Sequence, residues 1–285
     1  MHDIIQLYSR SGKVGLVNRS SLFLYRISPN FLRQMGVYTL YFLRKGKLPA
    51  NRFVIFAQGR TGSTLLVDLM NSHPDIFTFG EIMQHNVIRN VRWPRRYAEG
   101  LCSLSRKGTV GFKVKIYQIE GTQRKDPKRV LHDFHDHGWK IIYLKRANIL
   151  RHSISDIRSE KTGTFHKVEG KKVAQEGKGG KRKIRIEPEE LMQTMDFREG
   201  CLAREKAALE DLPHFTVSYE TDLMGEDNQR EAMNRLFEFL GLPPHEAETS
   251  FRKVTSKNIA DDVENFAELE RALAESRYAE YLSWD

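Results

Sequence analysis

The chain has 285 residues, 40% of them hydrophobic and 29% charged, with a formal net charge of +9. That composition fits a soluble globular protein with one large α/β domain, and residues 1–285 are read as a single domain. No apolar run approaches the roughly 18–20 residues needed to span a bilayer. The longest, Val37–Leu43, is followed at once by Arg44, Lys45 and Lys47. The first residues lack the pattern of a secretory leader, so the expected location is cytoplasmic. Peripheral membrane contact and oligomeric state stay open. Cys102 and Cys201 are the two cysteines, and neither has a Cys or His at metal-ligand spacing. A disulfide framework is therefore excluded, and no metal is expected.

The positive charge is local. From Lys161 to Arg185 nine basic residues stand against Glu169 and Glu176, a balance of +7, which leaves +2 for the rest. A global basic face for duplex DNA is not supported, and no nucleic-acid partner is expected.

Residues 1–50 show no clean period and read as short helical pieces, an N-terminal extension packing on the main domain. Phe53–Ala57 is a continuous apolar run, as expected of a strand buried on both faces of a parallel sheet. From Ser63, Leu65, Leu66, Leu69 and Met70 fall at helical spacing until Asn71-Ser72-His73-Pro74 ends the helix. Val110–Val114 reads as a second strand and Val130–His137 as a helix stopped by Gly138. Trp139–Leu144 is a third strand, running into a helix from Ala147 to about Ser159. Phe215–Ser218 is a fourth. Helices are expected between Glu187 and Leu212 and over Gln229–Leu240, the latter closed by Gly241. Residues 160–186, and most of all the Gly- and Lys-rich stretch 166–183, read as a basic flexible insertion. Strands alternating with helices of these lengths imply βαβ units.

Residues 57–64 join the first strand to its helix. A tight turn here aims several backbone N–H groups at one point, and the helix dipole adds to their pull on an anion. Gly59 and Gly62 allow positive φ and close approach to a phosphate. Arg60 supplies a charged fork, and Thr61, Ser63 and Thr64 supply hydroxyls. The pattern is not a Walker A motif, because Gly59 and Gly62 are three apart and no Lys follows Gly62. The strand Trp139–Leu144 ends in Lys145 and Arg146, which would repel magnesium.

Gly-Arg-Thr-Gly-Ser-Thr-Leu-Leu followed by Asn-Ser-His-Pro resembles the 5′-phosphosulfate segment of bacterial carbohydrate sulfotransferases, the nodulation-factor and trehalose types. The donor in that family is 3′-phosphoadenosine-5′-phosphosulfate (PAPS), whose 3′-phosphate requires a second anion site. Residues 141–159 resemble the family's strand–Arg–Ser segment for it. Arg146 lies at the strand end, Ser155 nine residues on, and Arg151 and Ser159 can share its helical face, with Ser153 competing for the serine role. Lys113 in GFKVK resembles a residue near the sulfate. Tyr219-Glu220 and Leu240-Gly241-Leu242 resemble less specific family segments that packing explains as well.

The resemblance implies a P-loop-like three-layer sandwich, a mainly parallel sheet with helices on both faces. It implies transfer of a sulfuryl group from PAPS to a hydroxyl of a carbohydrate, glycolipid or small metabolite. Arg60, the loop N–H groups and Lys113 would stabilise charge on the departing 5′-phosphate. Glu81, between Phe79 and Ile82, is the preferred base, and desolvation is expected to raise its pKa, although a neighbouring Arg would pull it back down. His73 is the alternative base. His132, His135 and His137 share an exposed helix. Phe165 and His166 could stack on the adenine if the basic insertion folds over the site. Two rivals remain: a kinase or other nucleoside-triphosphate enzyme, and a non-catalytic anion- or nucleotide-binding module.

Overall fold

The structure is a computed structural model that describes residues 30–163, 167–168, 183–249, 251–252 and 258–284. The N-terminal pieces before residue 30, most of the basic insertion, and Phe165 and His166 lie outside the described residues. Strand β1 (Asn51–Ala57) sits at the centre of a five-stranded sheet with β2 (Ile76–Phe79), β3 (Thr109–Val114), β4 (Trp139–Lys145) and β6 (His214–Ser218). Their spatial order is β2-β3-β1-β4-β6, and every pair is parallel. A separate antiparallel pair joins β5 (Lys167–Val168) to β7 (Phe251–Arg252).

Alternating residues of each strand feed opposite layers. Val54, Phe56, Val110, Phe112, Trp139 and Ile141 face one layer. It is covered by α3 (Pro94–Cys102), α4 (Pro127–His135) and α6 (Pro188–Leu209) through Ala98, Leu131, Phe134 and Leu209. Phe53, Ile55, Ile142, Leu144 and Val217 face the other. There α2 (Ser63–Ser72) and α8 (Glu226–Leu240) bring Leu66, Leu69, Met70, Leu236 and Phe237. The result is the three-layer, P-loop-like α/β sandwich. Helix α5 (Ile149–Thr162) packs with α6 and α9 (Phe266–Ala274) in a third cluster around Ile154, Ile186 and Leu273. Helix α1 (Asn30–Arg44) rests on α3 through Val37, Tyr38 and Tyr97.

Strand β2 and helix α3 have no counterpart in the expected elements. At four residues, β2 is too short to show a period, and parallel pairing with β3 rather than its own pattern makes it a strand. Helix α4 begins at Pro127, before the expected Val130, because the Asp126 side chain accepts the Arg129 N–H at 2.8 Å and Pro127 suits the first turn. The same logic moves the start of α5 to Ile149, with Asn148 as cap.

Candidate active site

The first connection leaves β1 at the sheet's centre, where the order reverses, so the carboxyl ends of β1, β3 and β4 surround one crevice. Gln58–Gly62 turns the chain from β1 into α2 there. Two residues take left-handed backbone, Arg60 at φ 66° and Gly62 at φ 87°. A Cβ on Gly62 would lie 2.6 Å from the Tyr219 ring, so position 62 needs glycine for space as well as conformation.

Three consecutive loop carbonyls are held by side chains. The Thr61 hydroxyl donates to Gln58 O at 2.8 Å, His152 Nε2 to Gly59 O at 2.6 Å, and Arg146 Nη1 to Arg60 O at 3.1 Å. A carbonyl can only accept, so the His152 proton is on Nε2, and burial pushes that ring's pKa well below the ordinary value. With its carbonyls anchored, the loop leaves the first amides of α2 pointing along the helix axis toward the crevice. The Gly59 N–H donates to Tyr117 Oη at 3.1 Å.

Lys113 on β3 and Lys115 just beyond it lie two residues apart and so share a face of the strand. Both reach Glu81, at 3.5 Å and 3.0 Å, while Gln118 Nε2 donates to the same carboxylate at 2.6 Å. Lys113 Nζ also lies 3.5 Å from Thr64 Oγ1 at the head of α2. Burial pushes the Glu81 pKa up, but Lys113, Lys115 and the hydrogen bonds outweigh it, leaving it below the ordinary carboxylate value. The expected upward shift is thus reversed, and the neighbours responsible are two lysines rather than an arginine. Burial holds Lys113 below the usual lysine value. It works the same way on Lys115, but there Glu81 and Tyr117 win and the pKa rises.

The β4–α5 turn is built differently from the loop after β1. Arg146 is buried at 4% exposure, with its guanidinium 4.6 Å from the Tyr219 ring centroid and 4.0 Å from Glu220. Glu220 accepts from the N–H groups of Ala147 and Asn148 at 3.0 and 3.1 Å. Tyr219-Glu220 therefore wedges the turn against the first loop. Along α5, Ser153 is fully buried, and its Oγ has no hydrogen-bond partner among the described residues. Ser155 is buried one half-turn on, and Ser159 donates to Asp156 O at 2.8 Å.

No protein-family model matches the chain. A mouse sulfotransferase, SULT7A1, in its complex with PAP, is 12% identical with a TM-score of 0.41, covering 82% of this chain and 76% of that one. Nodulation protein H of Rhizobium tropici is 24% identical over 246 residues, 82% of this chain and 93% of that protein. The likeness thus extends along nearly all of that relative, in a chain carrying both motif segments on adjacent strands.

Beneath the loop the chain carries a buried polar layer that the motifs do not announce. Gln58 Nε2 donates to Glu205 Oε2 at 3.2 Å and Tyr143 Oη to the same atom at 3.0 Å. Arg198 Nη1 donates to Gln58 Oε1 at 3.3 Å, and Arg198 also pairs with Asp156 of α5. Burial pushes the Glu205 pKa up to about 7, against the pull of Gln58, Tyr143 and Arg198. Folded protein therefore holds this proton where unfolded chain has lost it, and stability falls as pH rises from about 4.5 through about 7, then levels off. Glu205→Gln stays neutral throughout. Wild type is expected to lose about 3 kcal/mol relative to this variant between pH 5 and pH 8, read by parallel denaturant melts. Curves that run parallel across that range would show that Glu205 is already ionised at pH 5.

His73 is not brought to the crevice. It caps the far end of α2, about 15 Å of helix from the loop. Its Nδ1 accepts the Asp75 N–H at 3.1 Å and its Nε2 faces Pro243 O at 3.3 Å. The role as an alternative base is corrected to a packing role, because both ring nitrogens are already used. Both cysteines are buried, and burial pushes the Cys201 thiol up to about 11 and that of Cys102 still higher. Lys115, Tyr117, His152, Arg198 and Glu205 were missed as site residues. Lys115 alone had a visible signal, its strand-face spacing from Lys113. The helical partners needed tertiary packing to reach the loop.

Proposed function

We propose that the protein transfers the sulfuryl group of PAPS to a hydroxyl of a carbohydrate, glycolipid or small metabolite. The observation that carries this reading is the Lys113–Glu81–Lys115 cluster beside the amides of α2. It offers cations for a departing phosphate and a carboxylate for a hydroxyl proton in one place. The 5′-phosphosulfate would lie on Gly59–Thr64 with Arg60 and Lys113 at its oxygens. The 3′-phosphate would meet the Arg146–Ser155 segment. Arg146, Ser153 and Ser155 are all buried there and Glu220 holds the turn amides, so Arg151 is the partly exposed cation of the segment.

In the transfer, the acceptor oxygen forms a bond to sulfur as the bond from sulfur to the 5′-phosphate oxygen breaks in line. The hydroxyl proton goes to the Glu81 carboxylate. Arg60 and Lys113 stabilise the charge left on the 5′-phosphate. The acceptor class rests on the family resemblance, and the charge at the site suits any donor-bound hydroxyl.

The test combines radiolabelled sulfate transfer from PAPS to a panel of glycans, glycolipids and small hydroxyl compounds with thermal protection. Transfer to at least one carbohydrate and protection by adenosine 3′,5′-bisphosphate are expected. Protection by ATP–magnesium alone, or donor binding with no transfer across the panel, would overturn the proposal.

A further inference from the structure

Helix α1 has an outer face that nothing in the described residues covers. Phe31, Leu32, Met35, Phe42 and Leu43 are 46–77% exposed. At 100° per residue they span an arc of about 120°, centred roughly 130° away from that of Val37, Tyr38 and Tyr41, which pack inward. An exposed amphipathic helix in a monomer ordinarily turns charges outward. Here the two arginines within α1 are turned the other way, with Arg33 Nη1 donating to Val87 O at 2.9 Å and Arg44 Nη2 to Ser103 O at 2.9 Å. The contiguous outer face is left to large apolar side chains, which marks an interaction surface.

The rim of this face has one sign of charge. Lys45 and Lys47 follow the helix and are exposed, as are Arg89 and Arg92. Trp93, itself exposed, lies under the guanidinium groups of Arg92 and Arg96, at 4.9 and 5.3 Å from its ring centroid. No Asp or Glu occurs in residues 30–67 or 82–98. Residues 1–29 add four basic residues against Asp3 alone. Apolar side chains, an arginine-flanked tryptophan and a rim without acids match the layered chemistry of an anionic lipid surface: hydrocarbon, interface and phosphate.

We propose that α1, with Trp93 and its arginines, docks the protein on anionic membranes, its apolar face inserted at the headgroup boundary. The N-terminal end of α1 is tied by Asn30 and Gln34 to Arg89 and Asn90, on the segment that follows Glu81. Docking would therefore hold the crevice end of the sheet beside the membrane. The inference rests on α1 and its rim and stands apart from the reading of the active site.

The test uses the full chain and vesicles of phosphatidylcholine, with or without phosphatidylglycerol, in a flotation assay. Flotation with the anionic vesicles, weakened by salt, is expected. Phe42→Ser with Leu43→Ser should lower the bound fraction at least about tenfold, and Arg92→Glu with Arg96→Glu should abolish the preference for anionic lipid. Brominated lipid should quench tryptophan emission, with Trp93→Phe removing most of the effect. Unchanged melting and adenosine 3′,5′-bisphosphate binding establish that each variant is folded. If the 42/43 pair melts early, Phe31→Ser with Leu32→Ser replaces it. No flotation, equal flotation of the serine variants, or a dimer in light scattering that those variants dissociate would overturn the proposal. The last result would assign the face to a second copy of the chain.

Discussion

Glu81→Gln is expected to lower kcat for sulfuryl transfer by about 10²–10⁴-fold, the range for loss of a general base. The amide is nearly isosteric and can still accept from Gln118, so the local chain path should survive. What disappears is the proton acceptor and the negative charge between Lys113 and Lys115. That charge opposes an anionic donor, so the affinity for adenosine 3′,5′-bisphosphate should hold or tighten while turnover falls. A merely structural carboxylate would not give this split. In wild type, the lysines keep Glu81 ionised below the ordinary carboxylate range. Its stabilising pairs are fully present above the unfolded value near 4.5 and are lost only as pH falls through the lower folded value. The acid limb of kcat should accordingly lie below that of an ordinary glutamate. A Gln variant with wild-type kcat would remove Glu81 from the chemistry.

Arg60→Ala carries the second large effect. A lost charge-assisted hydrogen bond in the ground state corresponds to roughly 10–100-fold in PAPS affinity. Charge on the departing phosphate grows in the transition state, so kcat/KM should fall further, by about 10³ or more. Arg60 has a second property that must be separated from its charge, its φ of 66°. Alanine at that φ costs about 1 kcal/mol or more, whereas glycine does not. Arg60→Gly is therefore the control: it should melt no lower than Arg60→Ala yet lose comparable activity. Burial lowers the Arg60 pKa while Asp156 works the other way, and the group remains cationic at neutral pH. Wild-type activity in Arg60→Gly would remove the guanidinium from the chemistry. Isothermal titration with PAPS and with adenosine 3′,5′-bisphosphate should show the larger loss for PAPS, because the proposed reading puts Arg60 at the sulfate end.

Legibility of the site varied with how local its chemistry is. The strand–turn–helix connection holding Gly59, Arg60 and Gly62 was readable because it is one contiguous stretch, although the left-handed backbone falls on Arg60 and Gly62 rather than on Gly59. The charge state of Glu81 was not, since Lys113 and Lys115 are more than thirty residues away and only the β2–β3 alignment brings them close. His73 shows the converse failure. Its neighbour Pro74 announced a helix end, but sequence alone did not show that this end points away from the crevice.

The sequence by itself determined the parallel α/β architecture, because buried strands and amphipathic helices repeat in order and each pattern depends only on near neighbours. It also marked the two segments proposed to hold the donor's anions, and the absence of a Walker lysine. The tertiary structure alone decided the burial of Arg146, the downward shift at Glu81, the buried Gln58–Arg198–Glu205 layer and the face of α1 left uncovered by the described residues. Each of these depends on what lies opposite a side chain across a helix or sheet interface, and burial and opposing charge are properties of that packing rather than of any one segment.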